Sequence, residues 1–232
     1  MSSVRTLAGQ LQGRFGSSLI LALLIGAACP SSAAKASHSK PDVLSQVSEV
    51  AEQISENAST IDASAFRKSM SNITSLDARL TSALPPDRKK ALDGLVAGMR
   101  AAWTAGDRSA LGVQSIAAYR LLQEAVPRGT KGVPVQVAQL DYVGFKVNAL
   151  LASSSTDWTR IAVTVREAQS WWTAIEPHTS DATLKEAINR TLLAMKEAAD
   201  QKDAKLMHFA ADMELILVDG LETFFLAHPR SR

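Results

Sequence analysis

The stretch from Asp203 to Phe225, DAKLMHFAADMELILVDGLETFF, restricts the fold of this chain more than any other. It is the most apolar long run outside the N-terminal leader and reads as one helix. His208, Asp212, Asp219 and Glu222 fall on one narrow stripe of its wheel, and Leu215 completes their 4-3-4-3 spacing. Most of the remaining circumference is apolar, including Met207, Phe209, Ile216, Val218, Leu221 and Phe225. A helix this apolar is buried on most sides, so the rest of the chain has to supply helices that cover it. Glu214 lies on its apolar side and has to find a partner there or reach water at the rim.

Residues 1–36 read as an export signal. Arg5 and Arg14 supply the positive region, and the apolar run Leu19 to Ala28 is too short to span a bilayer, which takes about 20 apolar residues. Ala34-Lys35-Ala36 fits a small-x-small cleavage pattern, with cleavage before Ser37, and Ser32-Ala33-Ala34 is the near alternative. Cys29, the single cysteine, follows the apolar run directly, where a lipoprotein would carry its anchor. Gly26-Ala27-Ala28 lacks the large aliphatic residue such a signal uses, so ordinary cleavage near Ala36 is the reading and a lipid anchor at Cys29 the second choice. The mature chain then has no cysteine, which excludes disulfides and thiolate metal sites. Alternating small residues and the absence of disulfides point to a bacterial periplasm, with no transmembrane segment in the mature chain.

The leader carries Arg5, Arg14 and Lys35 and no acid, so 22 of the 25 basic residues remain against 23 acidic ones. A near-neutral, well-mixed surface excludes a nucleic-acid footprint.

The mature chain reads as all-α: an up-down helical bundle of about eight helices in two related four-helix units. Residues 37–40 form a polar tether, 41–126 the first unit, 127–133 a Gly/Pro-rich linker and 134–228 the second unit. The spacing predicts helices at about 41–57, 62–81, 86–104 and 107–126, then at about 134–152, 157–175, 180–200 and 203–228. A shift of 96 residues aligns Lys89 with Lys185, Met99 with Met195, Asp107 with Asp203 and Leu121 with Leu217. The shared order of breaks, caps and apolar positions points to an internal duplication. Such halves form either two small bundles or one body.

Asp141 holds the oddest position. Val137, Ala138, Phe145 and Ala152 surround it on the wheel, while Gln136, Gln139 and Lys146 lie opposite. It therefore points to the centre of an apolar face, and Asn148, seven residues on, points the same way. A buried carboxylate requires a cation, a metal or hydrogen-bond donors. One expectation is an ion pair with Arg120, Arg160 or Arg166, or a bond from a Tyr or Trp donor. The other is a site for a divalent metal ion or small ligand in the second unit, built from Asp141 with His208, Asp212, Asp219 and Glu222. Within the stripe, His208/Asp212 and Asp219/Glu222 are spaced to share a ligand, and imidazole with carboxylates suits Zn, Fe, Mn or Ni. Asn148 and Trp171 are candidate pocket residues.

No Glu-x-x-His pair, Cys-x-x-Cys-His, His-x-x-x-His, Ser-His-Asp arrangement or phosphate loop is present. The chain therefore reads as non-enzymatic. The expected role is a periplasmic protein binding a metal ion or small ligand, and the alternative is a structural or adaptor protein of the envelope acting through protein contacts.

Overall fold

A computed structural model of the chain describes residues 42–126 and 132–228. The leader, its cleavage site, Cys29 and most of the linker lie outside the described residues. Among those described there are nine α-helices and no strand. They are α1 (Val43–Glu56), α2 (Ala63–Ser75), α3 (Asp77–Ala83), α4 (Pro86–Ala105), α5 (Arg108–Ala125), α6 (Val135–Leu151), α7 (Trp158–Ile175), α8 (Ala182–Gln201) and α9 (Ala204–Ala227).

The helix starts follow directly from the chain chemistry. Asp62, Asp107, Asp157, Asp181 and Asp203 each cap a helix, accepting one or two backbone N–H groups of the first turn. Pro86 opens α4, where its missing N–H costs nothing. Gly106 closes α4 in the left-handed region at φ 69°.

The helix expected over residues 62–81 is two helices, so the described residues form nine helices and not eight. The break falls at Leu76, which ends α2 and precedes α3. Just before it, the Thr74 hydroxyl donates to the Met70 carbonyl and the Ser75 hydroxyl to the Asn72 carbonyl. Side-chain hydroxyls that bond back to the ladder bend helices. Asp77 then pairs with Lys89 of α4 at 2.9 Å, and Leu80 is buried. The short α3 is thereby turned onto α1 and α4.

The neighbour pattern is the same in both halves. α1 packs on α5, α4 on α5 and α1 on α2 and α3; α6 packs on α9, α8 on α9 and α6 on α7. α5 also packs along α6, and α1 touches α6. The nine helices belong to one compact unit, Lys40–Arg232, with one continuous apolar core. Hydrogen bonds give the directions. Ser48 meets Gln123 and Ser55 meets Gly112, so α1 and α5 are antiparallel. Ser109 meets Ala149 and Tyr119 meets Asp141, so α5 and α6 are antiparallel. Asn148 meets Asp212, and Gly144 lies against Glu214 and Leu215, so α6 and α9 are antiparallel too.

The α6–α9 contact depends on Gly144. A Cβ there would stand 2.5 Å from Leu215 Cγ and 2.6 Å from Glu214 Oε2, well inside van der Waals distance. The absent side chain is what lets the two helices approach at this level.

Arg120 locks the seam between the halves on the other side of α5. Its guanidinium bonds Glu124 at 2.9 Å, lies 3.5 Å from Glu167 of α7, and sits 5.0 Å above the rings of Tyr142 and Trp171. Trp171 is therefore not an open pocket wall. It packs edge-on against Tyr142 under a cation, an arrangement that planar guanidinium favours.

Candidate functional site

α1, α5, α6 and α9 meet around a group of carboxyls. Three polar residues of α1 face α5, spaced i, i+4, i+7: Ser48, Glu52 and Ser55. Ser48 accepts from Gln123 Nε2 at 3.0 Å and the Ser55 hydroxyl donates to the Gly112 carbonyl at 3.2 Å. Glu52, between them, reaches across to Asp141 of α6 and shares a hydrogen bond with it. The Tyr119 hydroxyl of α5 donates to Asp141 Oδ2 at 3.0 Å. Asp219 and Glu222 of α9 are near enough for their charges to act on Asp141.

This centre carries negative groups without a cation among its strongest influences. Burial pushes the Glu52 carboxyl up to about 8, reinforced by Asp141, Glu56 and Glu222. Burial likewise raises Asp141 to about 7, outweighing the stabilising bond from Tyr119, with Asp219 and Glu222 adding to the rise. Burial first, and then Asp141, Glu52 and Glu222, hold the Tyr119 phenol well above its usual value. Two carboxyls in hydrogen-bond contact titrate as a pair and share a proton near neutrality.

Glu214 lies on α9 beside this centre and is buried, at 2% exposure. Neither of its carboxyl oxygens has a hydrogen-bond partner of sound geometry. The Gly144 backbone amide lies close enough to pull the Glu214 pKa down, the weakest of the three influences on it, but not in the geometry of a full hydrogen bond. Burial, and then the charge of Asp141, raise Glu214 well above the normal range, so its charged form is disfavoured in the core. The expected partner or route to water at the rim is absent, because Gly144 admits the side chain into the α6–α9 interface itself.

The residues expected to share one site divide into two levels. Asp141, Asp219 and Glu222 do approach one another. His208 and Asp212 stand further along α9, with His208 Nδ1 3.0 Å from Asp212 Oδ2 and both side chains more than half exposed. Asn148 belongs with them, donating to Asp212 Oδ1 at 3.0 Å. Among the described residues, no three His, Cys, Asp or Glu side chains converge as a group that could hold a metal ion. Asp141 takes its bond from a tyrosine, one of the expected donors, while Arg120 turns to the other side of α5. The Trp172 indole donates to Asn189 instead. Glu52 and Tyr119 were not singled out from sequence; the i, i+4, i+7 polar spacing of Ser48, Glu52 and Ser55 is the signal that marks this face of α1.

The outer face of α9 is of a different kind. Phe209 and Ile216, seven residues apart, are 64% and 62% exposed. Half-buried Met213 lies between them, and Gly220 follows on the same face. Lys205, Asp212 and Asp219, also at seven-residue spacing and all exposed, border this strip on one side. No described helix is long and apolar enough to cross a membrane. Two surface clefts among the described residues, of about 400 Å³ beside Val43 and Arg79 and about 240 Å³ between Ile73, Leu92 and Arg100, lie on α1 to α4, away from both features. No family model, curated protein or solved structure matches the chain.

Proposed function

We propose that the chain is an exported, non-enzymatic helical-bundle protein of the periplasm that acts as an adaptor, binding protein through the outer face of α9. The observation that carries this reading is the exposure of Phe209 and Ile216 on a helix whose counterpart is covered. A duplicated four-helix unit is part of the reading, supported by the repeated neighbour pattern and by the equivalent caps Asp107 and Asp203. Under that equivalence α9 corresponds to α5. Ser109 and Arg120 of α5 face α6, and their counterparts 96 residues on are Lys205 and Ile216. One face is thus covered by a neighbouring helix in the first unit and open in the second. Exposed apolar strips of this kind mark interaction surfaces.

The test is a photo-reactive amino acid placed at position 209 or 216, with position 190 on α8 as control, followed by irradiation of intact cells. A discrete adduct from 209 and 216, and none from 190, is expected. Replacing the neighbouring apolar residue by aspartate should remove it while leaving stability within about 0.5 kcal/mol, because the side chain is solvated in the isolated protein. A protein that gives no adduct at either position is not an adaptor through this face.

A second reading rests on the acidic centre: a small cationic ligand, an amine or a hydrated divalent metal ion held by charge and not by a converging set of ligands, neutralising Glu52, Asp141, Asp219 and Glu222. The uncompensated carboxyls favour it. Binding would displace protons from the Glu52–Asp141 pair, so titration calorimetry at pH about 8 in two buffers of different ionisation enthalpy is the measurement. Calcium, magnesium, manganese and a diamine that all give no heat beyond dilution would end this reading.

A further inference from the structure

The outer face of α9 is complementary to itself, and we infer that its partner is a second copy of this chain, docked with the two α9 helices antiparallel. The inference rests on the adaptor reading and names its occupant. A two-fold axis passing between Asp212 and Met213 sets Phe209 of one protomer against Ile216 of the other, and the reverse. Residues at seven-residue spacing keep one direction along a helix, so the bordering row Lys205, Asp212, Asp219 stays in line. In an antiparallel pair each flank faces its own copy. Lys205 then lies opposite Asp219 of the partner subunit, and this pairing occurs twice by symmetry. Gly220, with only Leu184 near its missing Cβ at 3.5 Å, leaves a shallow place beside Ile216 for the phenyl ring.

The direction repeats one already used in the fold. The equivalent face of α5 is covered by α6, which runs antiparallel to it. A second α9 in the same sense would give the exposed strip the kind of neighbour its counterpart has. A closed two-fold contact uses the same patch on both subunits, as a self-complementary strip requires. One feature opposes the pairing: Asp212 meets Asp212 of the partner at the axis. Each is tied to His208 and Asn148 of its own chain, which lowers but does not remove the repulsion.

The experiment is sedimentation equilibrium of the protein as processed and purified from the periplasm, from about 1 to 100 µM, bracketing ordinary weak-dimer affinities. A monomer–dimer equilibrium is expected. Phe209→Ser should leave a monomer. Lys205→Asp should weaken association by about tenfold, since an attraction becomes a repulsion at two symmetric places. The double variant K205D/D219K should restore it to within a few-fold, and Asp212→Asn should tighten it. Far-ultraviolet dichroism of each variant establishes that the fold is kept. A monomer at all concentrations overturns the inference, and so does a dimer indifferent to Lys205→Asp. The adaptor reading is judged separately by cross-linking in cells: a monomer whose position 209 still couples to another protein keeps that reading and loses the second copy, whereas a monomer with no adduct loses both.

Discussion

The free energy of unfolding is expected to fall as pH rises from about 5 to about 8, the reverse of a protein held together by surface carboxylate pairs. Glu52 is held at about 8 and Asp141 at about 7 in the folded chain, both raised by burial first. In the unfolded chain they return to about 4.3 and 3.9. Between those limits the folded state keeps protons that the unfolded chain releases. The stability these acids contribute is therefore complete below about pH 4 and is lost as pH rises through about 7 to 8. Each extra proton retained over about three pH units corresponds to roughly 4 kcal/mol. That is a large part of the total stability of an ordinary domain, about 5–15 kcal/mol. Urea titrations at pH 5, 6, 7 and 8 measure it directly. The double variant E52Q/D141N should lessen the slope, leaving the part that buried Glu214 contributes, and be the more stable protein at pH 8, since both amides keep the hydrogen-bonding shape without the charge. A wild-type stability that is level or rises over this interval would show that water reaches the pair and that the centre is not buried in solution.

Glu214→Met should stabilise the protein by about 1–3 kcal/mol at pH 7, the size of the penalty for a buried polar group left without a partner. The side chain is 2% exposed, both oxygens are unbonded, and methionine matches its length while filling the space with apolar atoms. Most substitutions in a core destabilise, so an increase here is a strong outcome. The gain should grow with pH, because the wild-type acid is progressively forced towards its charged form. Glu214→Lys should do the opposite and disrupt the α6–α9 contact. Thermal unfolding of the two variants with the wild type decides it. A destabilised Glu214→Met protein would mean that the carboxyl has a partner in solution, such as an enclosed water bridging it to Gly144.

The helices were legible because their information is local. Five aspartate caps, Pro86 and Gly106 delimit segments whose apolar residues recur at helical spacing, and each of these signals acts within one or two turns. The break at Leu76 was not legible, since no proline or glycine stands there; it depends on two hydroxyls bonding back along α2 and on Asp77 reaching Lys89. Asp141 was identifiable as a misplaced acid from its own helix. Its partners were not, because Glu52 and Tyr119 come from α1 and α5, 89 and 22 residues away in a chain whose pairings no local rule specifies.

The stripe on α9 separates the two kinds of information most clearly. The spacing of His208, Asp212, Asp219 and Glu222 is a property of the sequence, and so is the apolar character of Phe209 and Ile216. Helical period alone puts them on the outside or the inside of one cylinder. Only packing decides which sector of that cylinder α6 and α8 cover, and it brings Asp219 and Glu222 within electrostatic reach of Asp141, leaves His208 and Asp212 with Asn148, buries Glu214 against Gly144 and exposes Phe209 and Ile216. The sequence by itself determined that the chain is helical, where most helices begin and end, and that one acid sits on an apolar face. Which acids meet, which one is sealed without a partner and which apolar residues face water were decided by tertiary structure, because burial and charge coupling depend on distances between segments that the order of residues does not state.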